Sequence, residues 1–242
     1  KLMQKNKRIQ LINRIGRSGL SSAIKEGLIF GKGEYLLVLD GDGQHDANCI
    51  LDLFHEIKAS NSDVVIASRF LEASELKGLS EKRSLGSKLA NRAARISLSK
   101  KYSNLTDYLS GCFCLNRTKV DSLIKKIEIN GFKFLYELLA LSKGKLLITE
   151  IPLIFKERNY GLSKLDLAIV WDFLISILHN TTYRILPRRA ISFGIVGITG
   201  VFVQLIITLL LTNIFLIDFK SALPFSVVCA ATSNFLINNQ LT

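Results

Sequence analysis

The apolar positions fall into two regimes along the chain. Up to Phe155 they come in short runs separated by helix-spaced stretches, and from Ala190 onward they are nearly continuous. In the first regime, Tyr35–Leu39 and Val64–Ala67 are short apolar runs of the kind that form strands covered on both faces. Leu146–Phe155 is β-like and broken by Pro152, and Ile9–Ile12 reads as a further strand. Between the strands, Asp46 is placed to cap a helix that carries Ile50, Leu51, Phe54 and Ile57 on one side. Arg83–Leu98 has helical spacing, with Leu85, Leu89 and Ile96 as its apolar stripe. Strands alternating with helices predict an α/β fold with a mostly parallel sheet. In such sheets ligands bind at the carboxyl ends of the strands.

The second regime predicts membrane helices. Ala190–Ile217 contains no charged residue; as a helix it would run about 42 Å, longer than the ~30 Å hydrocarbon core of a bilayer. Ala222–Ile237 is a weaker second span, because it carries Thr232, Ser233 and Asn234. The linker Asp218–Ser221 is short enough to join the two as an antiparallel hairpin. Between Leu165 and Leu186 lies a third apolar stretch, in which Asp172, Ser176, His179 and Tyr183 recur on one helical face. This predicts an amphipathic helix lying in the membrane interface. An ordinary amphipathic helix packed on the preceding domain is the alternative.

Composition sharpens that division. Of the 242 residues 48% are apolar, and mean hydropathy is +0.29, which excludes a disordered or collagen-like chain. The net charge is +12, yet Ala190–Thr242 holds just Asp218 and Lys220, so the whole excess belongs to the first 189 residues. Arg184, Arg188 and Arg189 precede the first span, and the positive-inside rule puts their side, with the N-terminal domain, in the cytoplasm. The four cysteines have no zinc-ligand spacing and are expected to be reduced there. The chain opens in mid-sheet and stops inside an apolar segment, so we expect a fragment at both ends.

The chemistry concentrates at Asp40-Gly41-Asp42-Gly43-Gln44, where a predicted strand opens into a loop. Two carboxylates one residue apart repel each other unless a cation shares them. Hard oxygen donors suit Mg2+ or Mn2+, with Asp40 and Asp42 as ligands and Gln44 as a neutral third. An EF-hand loop beginning at Asp40 fails, since His45 and Leu51 stand where glycine and glutamate are required. A plain surface turn remains the other reading of this loop. Basic groups follow downstream: Arg69 after a strand, Arg83 and Ser87 one helical turn apart, Lys88, Arg92 and Arg95 as a neighbouring stripe, and Arg158 and Lys164 flanking Gly161. A phosphate-bearing ligand would use them, although a solvated helix face explains the stripe equally well. No Walker A sequence and no dinucleotide fingerprint occur.

Taken in order, these motifs resemble the inverting family-two glycosyltransferases of the polyprenol-phosphate type. The resemblance runs through Arg17-Ser-Gly-Leu-Ser-Ser-Ala23, Leu39-Asp-Gly-Asp-Gly-Gln-His45, Ser68-Arg69-Phe70, Arg83 with Ser87, and Thr106-Asp107-Tyr-Leu-Ser110-Gly111. It continues through Gly131-Phe-Lys-Phe-Leu-Tyr-Glu137, Glu150-Ile-Pro152 and Phe155-Lys-Glu-Arg158-Asn-Tyr-Gly161-Leu-Ser163-Lys164. The tail, with Phe193, Gly197, Gly200 and Asn234-Phe235-Leu236, is similar to a GtrA-type membrane domain. The chain departs from the family in lacking its opening strand, in Gly41 between the two acids, and in Cys112-Phe113 where Phe-Arg is common.

The resemblance implies a GT-A type, Rossmann-like sheet lacking its first strand. Together with the hydropathy pattern and the arginines, it divides the chain into an expected cytoplasmic catalytic domain over 1–164, an interfacial helix and linker over 165–189, and a truncated GtrA-like segment of about two helices over 190–242. It implies transfer of a hexose, mannose foremost, from GDP-mannose or a UDP-hexose to a polyprenol or dolichol monophosphate, with no nucleic acid as partner. Asp42 and Asp107 are the implied catalytic residues, although nothing in the sequence gives Asp107 a role. Arg17, Asp40, Asp42 and Arg158 would bind the donor, and Arg69, Arg83, Ser87, Arg158 and Lys164 the lipid phosphate. A phosphate monoester has a second pKa near 6, so the acceptor is already an anionic nucleophile and needs no general base. The rivals are a glucosyl or other family-two sugar transferase, a processive synthase, and a non-enzymatic membrane protein that moves lipid-linked sugar. Against the synthase, the single tryptophan, Trp171, is not in a Gln-x-x-Arg-Trp context.

Overall fold

The computed structural model describes residues 6, 8–14, 19–41, 45, 47–72, 74–76, 81–127, 133–155 and 167–241. They belong to two compact units, Lys1–Leu165 and Asp166–Thr242. In chain order the first unit contains α1 (Gly19–Phe30), β1 (Tyr35–Val38), α2 (Ala47–Ala59), β2 (Val64–Ser68), β3 (Glu75–Leu76) and α3 (Glu81–Ser97). It continues with β4 (Phe113–Asn116), α4 (Arg117–Lys126), α5 (Phe134–Ser142), β5 (Ile148–Pro152) and β6 (Ile154–Phe155).

The main sheet has the order β1-β4-β2-β5, and β3 pairs with β6 in a separate short parallel ladder. Three of the four main strands point the same way, as expected. The reversed strand β4 lies between β1 and β2, however, so two of the three pairings are antiparallel. Ile9–Ile12 is not a strand: it has no ladder partner among the described residues, and Leu11 is 74% exposed. So short an apolar run becomes a strand only where a sheet edge takes up its backbone groups.

β2 is buried along its whole length. Its alternation sends Val65 and Ala67 to one face and Val64 and Ile66 to the other. The first face is covered by α2, whose Cys49, Leu53 and Ile57 pack with Val65, Ala67, Cys112, Cys114 and Leu153. The opposite face is covered by α4 and α5, with the rings of Phe113 and Phe134 stacked 6.1 Å apart. At the start of α4 the Asn116 side chain accepts the Thr118 N–H at 3.2 Å, capping the helix.

Two helices are turned differently from the sequence expectation. The inward face of α2 is Cys49, Leu53 and Ile57, while Ile50, Leu51 and Phe54 are at least 38% exposed. Cys49 is small enough to let the helix lie close to Cys112, and Phe54 swings out to meet Tyr35 edge-on at 5.8 Å. In α3 the buried positions are Asn91 and Ala94, followed by Leu98 just past the helix end, whereas Leu89 and Ile96 are 60% and 78% exposed. Polar Asn91 faces inward because it makes hydrogen bonds to a loop described below.

The second unit contains α6 (Leu167–Thr181), α7 (Arg188–Asn213) and α8 (Phe219–Leu241). α7 and α8 are long and apolar enough to cross a membrane, and just 17% of each apolar window is buried, unlike the core helix of a soluble protein. They pack against each other. Thr208 donates to Ser226 at 2.8 Å across the pair, and Gly200 lies so close to the Asn234 amide that a side chain there would overlap it. This register is antiparallel: eight residues on from Gly200 in α7 corresponds to eight residues back from Asn234 in α8. The turn runs 214–218 rather than Asp218–Ser221, because Asp218 accepts the Ser221 N–H at 3.2 Å and so caps α8.

In α6 the polar residues Ser176 and His179 are buried while Val170 and Leu174 are exposed. His179 Nδ1 lies 2.7 Å from the Leu186 carbonyl, and the Arg184 Nε–H donates to His179 Nε2 at 3.3 Å, tying down the turn before α7. Tyr183 lies beyond the helix end at φ 53° and is 86% exposed, so it leaves the predicted polar face.

The orientation of α2 has a direct test. Leu53→Ala should cost about 2–5 kcal/mol of stability through cavity formation, whereas Leu51→Ala should stay within about 0.5 kcal/mol. Chemical unfolding of the two variants in detergent micelles compares them.

Candidate active site

Four segments of the first unit converge at one edge of the sheet: the residues after β1, those after β2, the loop 104–111, and the start of α5. Asp40 follows β1 and Arg69 directly follows β2, so both stand at carboxyl ends of strands. They line one cleft of about 160 Å³ together with Leu20, Ile24, Leu109, Ser110, Gly111, Phe113, Lys133, Phe134 and Leu135.

The cleft is organised by an ion pair. Arg69 donates from Nε to Asp107 Oδ2 at 2.7 Å and from Nη2 to Oδ1 at 2.9 Å, and the Arg69 backbone N–H reaches Oδ2 at 3.2 Å. Such a two-pronged contact fixes the plane of the guanidinium as well as its position. Asp107 is fully buried and also accepts the Leu109 N–H at 3.1 Å. Burial alone would lower the Arg69 pKa, but the hydrogen bonds and charge of Asp107, with a smaller contribution from Asp40, reverse that and raise it.

Polar contacts from three other elements hold the Asp107 loop. The Glu150 carboxylate of β5 accepts the backbone N–H groups of Thr106 and Asp107 at 2.8–3.0 Å and the Thr106 hydroxyl at 3.1 Å. Burial, followed by the Asp107 charge as an opposing influence to these hydrogen bonds, leaves the Glu150 pKa raised. Asn91 of α3 donates to the Thr106 carbonyl and accepts the Tyr108 N–H at 2.8 Å. From β2, Ser68 meets the Thr106 hydroxyl at 2.5 Å, while Ser110 donates to the Ala67 carbonyl at 2.7 Å.

Gly111 closes this loop against Asp40. A Cβ at position 111 would lie 3.0 Å from the Asp40 carboxyl carbon, so the absence of a side chain lets the carboxylate sit against the backbone. Asp40 is exposed and presents hard oxygens to the cleft, donor chemistry that suits Mg2+ or Mn2+. Among the described residues no three His, Cys, Asp or Glu side chains form a metal-binding group.

The predicted site residues divide accordingly. Asp40, Arg69 and Asp107 come together. Ser87 is half-buried on α3, one turn before Asn91, and does not line the cleft. Arg83 lies on α3, and its side chain is outside the described residues, as are Arg17, Asp42, Gln44, Arg158 and Lys164. The expected helix cap Asp46 is outside them too.

Sequence reasoning gave no role to Asn91, Glu150, Ser110, Gly111 or Lys133. Glu150, Ser110, Gly111 and Lys133 stand inside motifs that were visible, while Asn91 had no signal because its helix was oriented by its leucines. Lys133 is half-buried beside Arg69 and Asp40. Burial pushes its pKa down, and Arg69 adds to that shift against the pull of Asp107 and Asp40.

Comparison with known proteins agrees with this architecture. The family model described as glycosyl transferase family 2 matches residues 1–124, and that of the GtrA/DPMS transmembrane domain matches 192–242. The dolichol-phosphate mannosyltransferase of Pyrococcus furiosus is 33% identical over 199 residues, covering 81% of this chain and 54% of that protein. A dolichol-phosphate mannosyltransferase of Saccharomyces cerevisiae is 26% identical over 190 residues, covering 76% of this chain and 69% of its own. The chain thus spans about half the length of the Pyrococcus relative.

Removing the charge of Asp107 while keeping its shape should leave the half-buried Arg69 without its counter-ion. Asp107→Asn is expected to destabilise the first unit by about 1.5–3 kcal/mol, read as a lower denaturation midpoint.

Proposed function

Because the chain belongs to glycosyl transferase family 2, we propose that it transfers a hexosyl group from a nucleotide sugar to a polyprenyl monophosphate at a membrane surface. Mannose from GDP-mannose is the first choice of donor, since both relatives above are named dolichol-phosphate mannosyltransferases; a UDP-hexose is the alternative. The observation that carries the reading is the cleft in which Asp40 and the Asp107-held Arg69 face one space at the carboxyl ends of two strands.

The chemistry asks little in the way of proton transfer. A lipid phosphate oxygen attacks the anomeric carbon, a new carbon–oxygen bond forms, and the bond to the nucleoside diphosphate breaks with inversion. The nucleophile is already ionised near neutral pH, so no side chain needs to act as base. What the protein must supply is charge compensation for two anionic substrates in one cleft. Arg69 provides a fixed cation for this, with Arg83, Ser87, Arg158 and Lys164 as further lipid-phosphate ligands and Arg17 and Arg158 on the donor side. Asp107 acts here as a positioning residue for Arg69. Asp40, Asp42 and Gln44 would hold a divalent cation, which when bound stabilises charge on the departing diphosphate. The membrane helices keep the lipid substrate and the protein in the same bilayer, with the first unit cytoplasmic by the distribution of arginines.

The full chain, purified in detergent and given labelled nucleotide sugar and polyprenyl phosphate with and without Mg2+ or Mn2+, tests this. Label should move to the lipid in a metal-dependent way, and Asp42→Ala should reduce the rate by about 100-fold or more. Transfer that survives Asp42→Ala overturns the metal assignment. Arg83→Ala should raise KM for the lipid and leave KM for the nucleotide sugar unchanged.

A further inference from the structure

The cleft holds a cation that the reading above does not use. Lys133 occupies the N-cap position of α5 and lines the cleft with Asp40 and Arg69. Among the described residues its ammonium has neither a hydrogen-bond acceptor nor an ion-pair partner. Asp107 and Asp40 favour its charge through their fields, but neither accepts a hydrogen bond from it. Asp107 has both oxygens on Arg69, and Asp40 rests against the backbone of Gly111.

A partly desolvated ammonium without a partner is costly to keep, and the neighbouring guanidinium makes it costlier. An anion bound between Lys133 and Arg69 would relieve both costs, since it supplies acceptor oxygens and counter-charge together. Arg69 is available for this, because the pair with Asp107 occupies Nε and one N–H of Nη2, leaving its remaining N–H groups for a ligand. Leu20, Ile24, Leu109 and Phe134 also line the cleft, and such apolar neighbours strengthen a charge contact by lowering the local dielectric.

We propose that Lys133 is a phosphate ligand of this cleft, closing with Arg69 on the phosphoryl oxygens of a substrate. The inference rests on the sugar-transfer reading for the identity of that substrate. It is either the diphosphate of the nucleotide sugar or the monophosphate of the lipid, and the chemistry of recognition is shared. Lys133 makes its contact as a point charge on a flexible stem, whereas Arg69 is held in one plane.

Two experiments on the full chain in detergent test the assignment. In the first, wild-type protein is treated with an amine-acetylating ester, and modification of Lys133 is followed by peptide mass spectrometry. A nucleoside diphosphate, a short-chain isoprenyl monophosphate and inorganic sulfate as an ionic-strength control are added separately. At least threefold protection by one of the two phosphates, with none by sulfate, supports the proposal and names the source. Equal modification under all conditions overturns it, and this arm requires no variant to fold.

In the second experiment, Lys133→Met and Lys133→Arg are compared with wild type for equilibrium binding of the same two phosphates. KM is measured for each substrate where transfer is detected. The methionine variant should weaken one phosphate ligand about tenfold and leave the other within twofold, with arginine recovering most of the loss. Unchanged binding of both ligands by a Lys133→Met protein of wild-type unfolding temperature overturns the assignment. If protection and weakened binding are found but no sugar moves, Lys133 stands as a phosphate ligand and the transfer reading is what fails.

Discussion

The first unit depends on one ion pair, between a fully buried carboxylate and a half-buried guanidinium. Arg69 at the end of β2 and Asp107 in the loop before β4 are 38 positions apart and meet through two parallel hydrogen bonds. Burying such charges is costly unless the geometry is good and the remaining polar atoms are satisfied. Here both conditions are met. The carboxylate also receives the Arg69 and Leu109 backbone N–H groups, while the loop that carries it is held by Glu150, Asn91, Ser68 and Ser110. The pair therefore sets the position of the loop, of Gly111 at its end, and through Gly111 of Asp40.

This arrangement separates scaffold charge from site charge. Asp107 and Glu150 are turned into the protein, where they act on backbone groups and on one guanidinium. Asp40 and Lys133 line the open cleft. A reaction that needs no proton transfer but must bring two anions together is served by such a division. Arg69 is fixed before any ligand arrives, and its charge is compensated by a buried carboxylate, Asp107, that does not line the cleft. Preorganisation of this kind acts without structural rearrangement at the moment of reaction.

The second unit follows the opposite solvent logic. Apolar side chains of α7 and α8 face outward, and the polar or small ones, Gly200, Thr208, Ser226 and Asn234, collect where the two helices touch. In a bilayer the lipid is as apolar as leucine, so helices gain little by hiding leucines from it and associate through close backbone approach and hydrogen bonds. The same inversion occurs in α6, with Ser176 and His179 inside and Val170 and Leu174 outside.

Much of this could be read along the chain. The buried strand at Val64–Ser68, the position of Asp40 after β1, the two long apolar helices and the ordered family motifs are all local signals. They consist of a run, a spacing or a composition, and such signals survive without a fold. The reversed strand, the faces of α2 and α3, and the loss of Ile9–Ile12 as a strand were not readable in this way. Each depends on what a neighbour offers: a small Cys49 beside Cys112, or a loop backbone in need of Asn91. The site divides along the same line. Asp40 and Arg69 announce themselves by charge at strand ends, but that Asp107 holds the arginine, that Gly111 seats Asp40, and that Lys133 is left facing the cleft are facts about distance. Residues far apart in sequence acquire these distances only when the chain packs, because hydrogen bonds and ion pairs decay over a few ångströms while sequence patterns carry no record of who lies across the sheet.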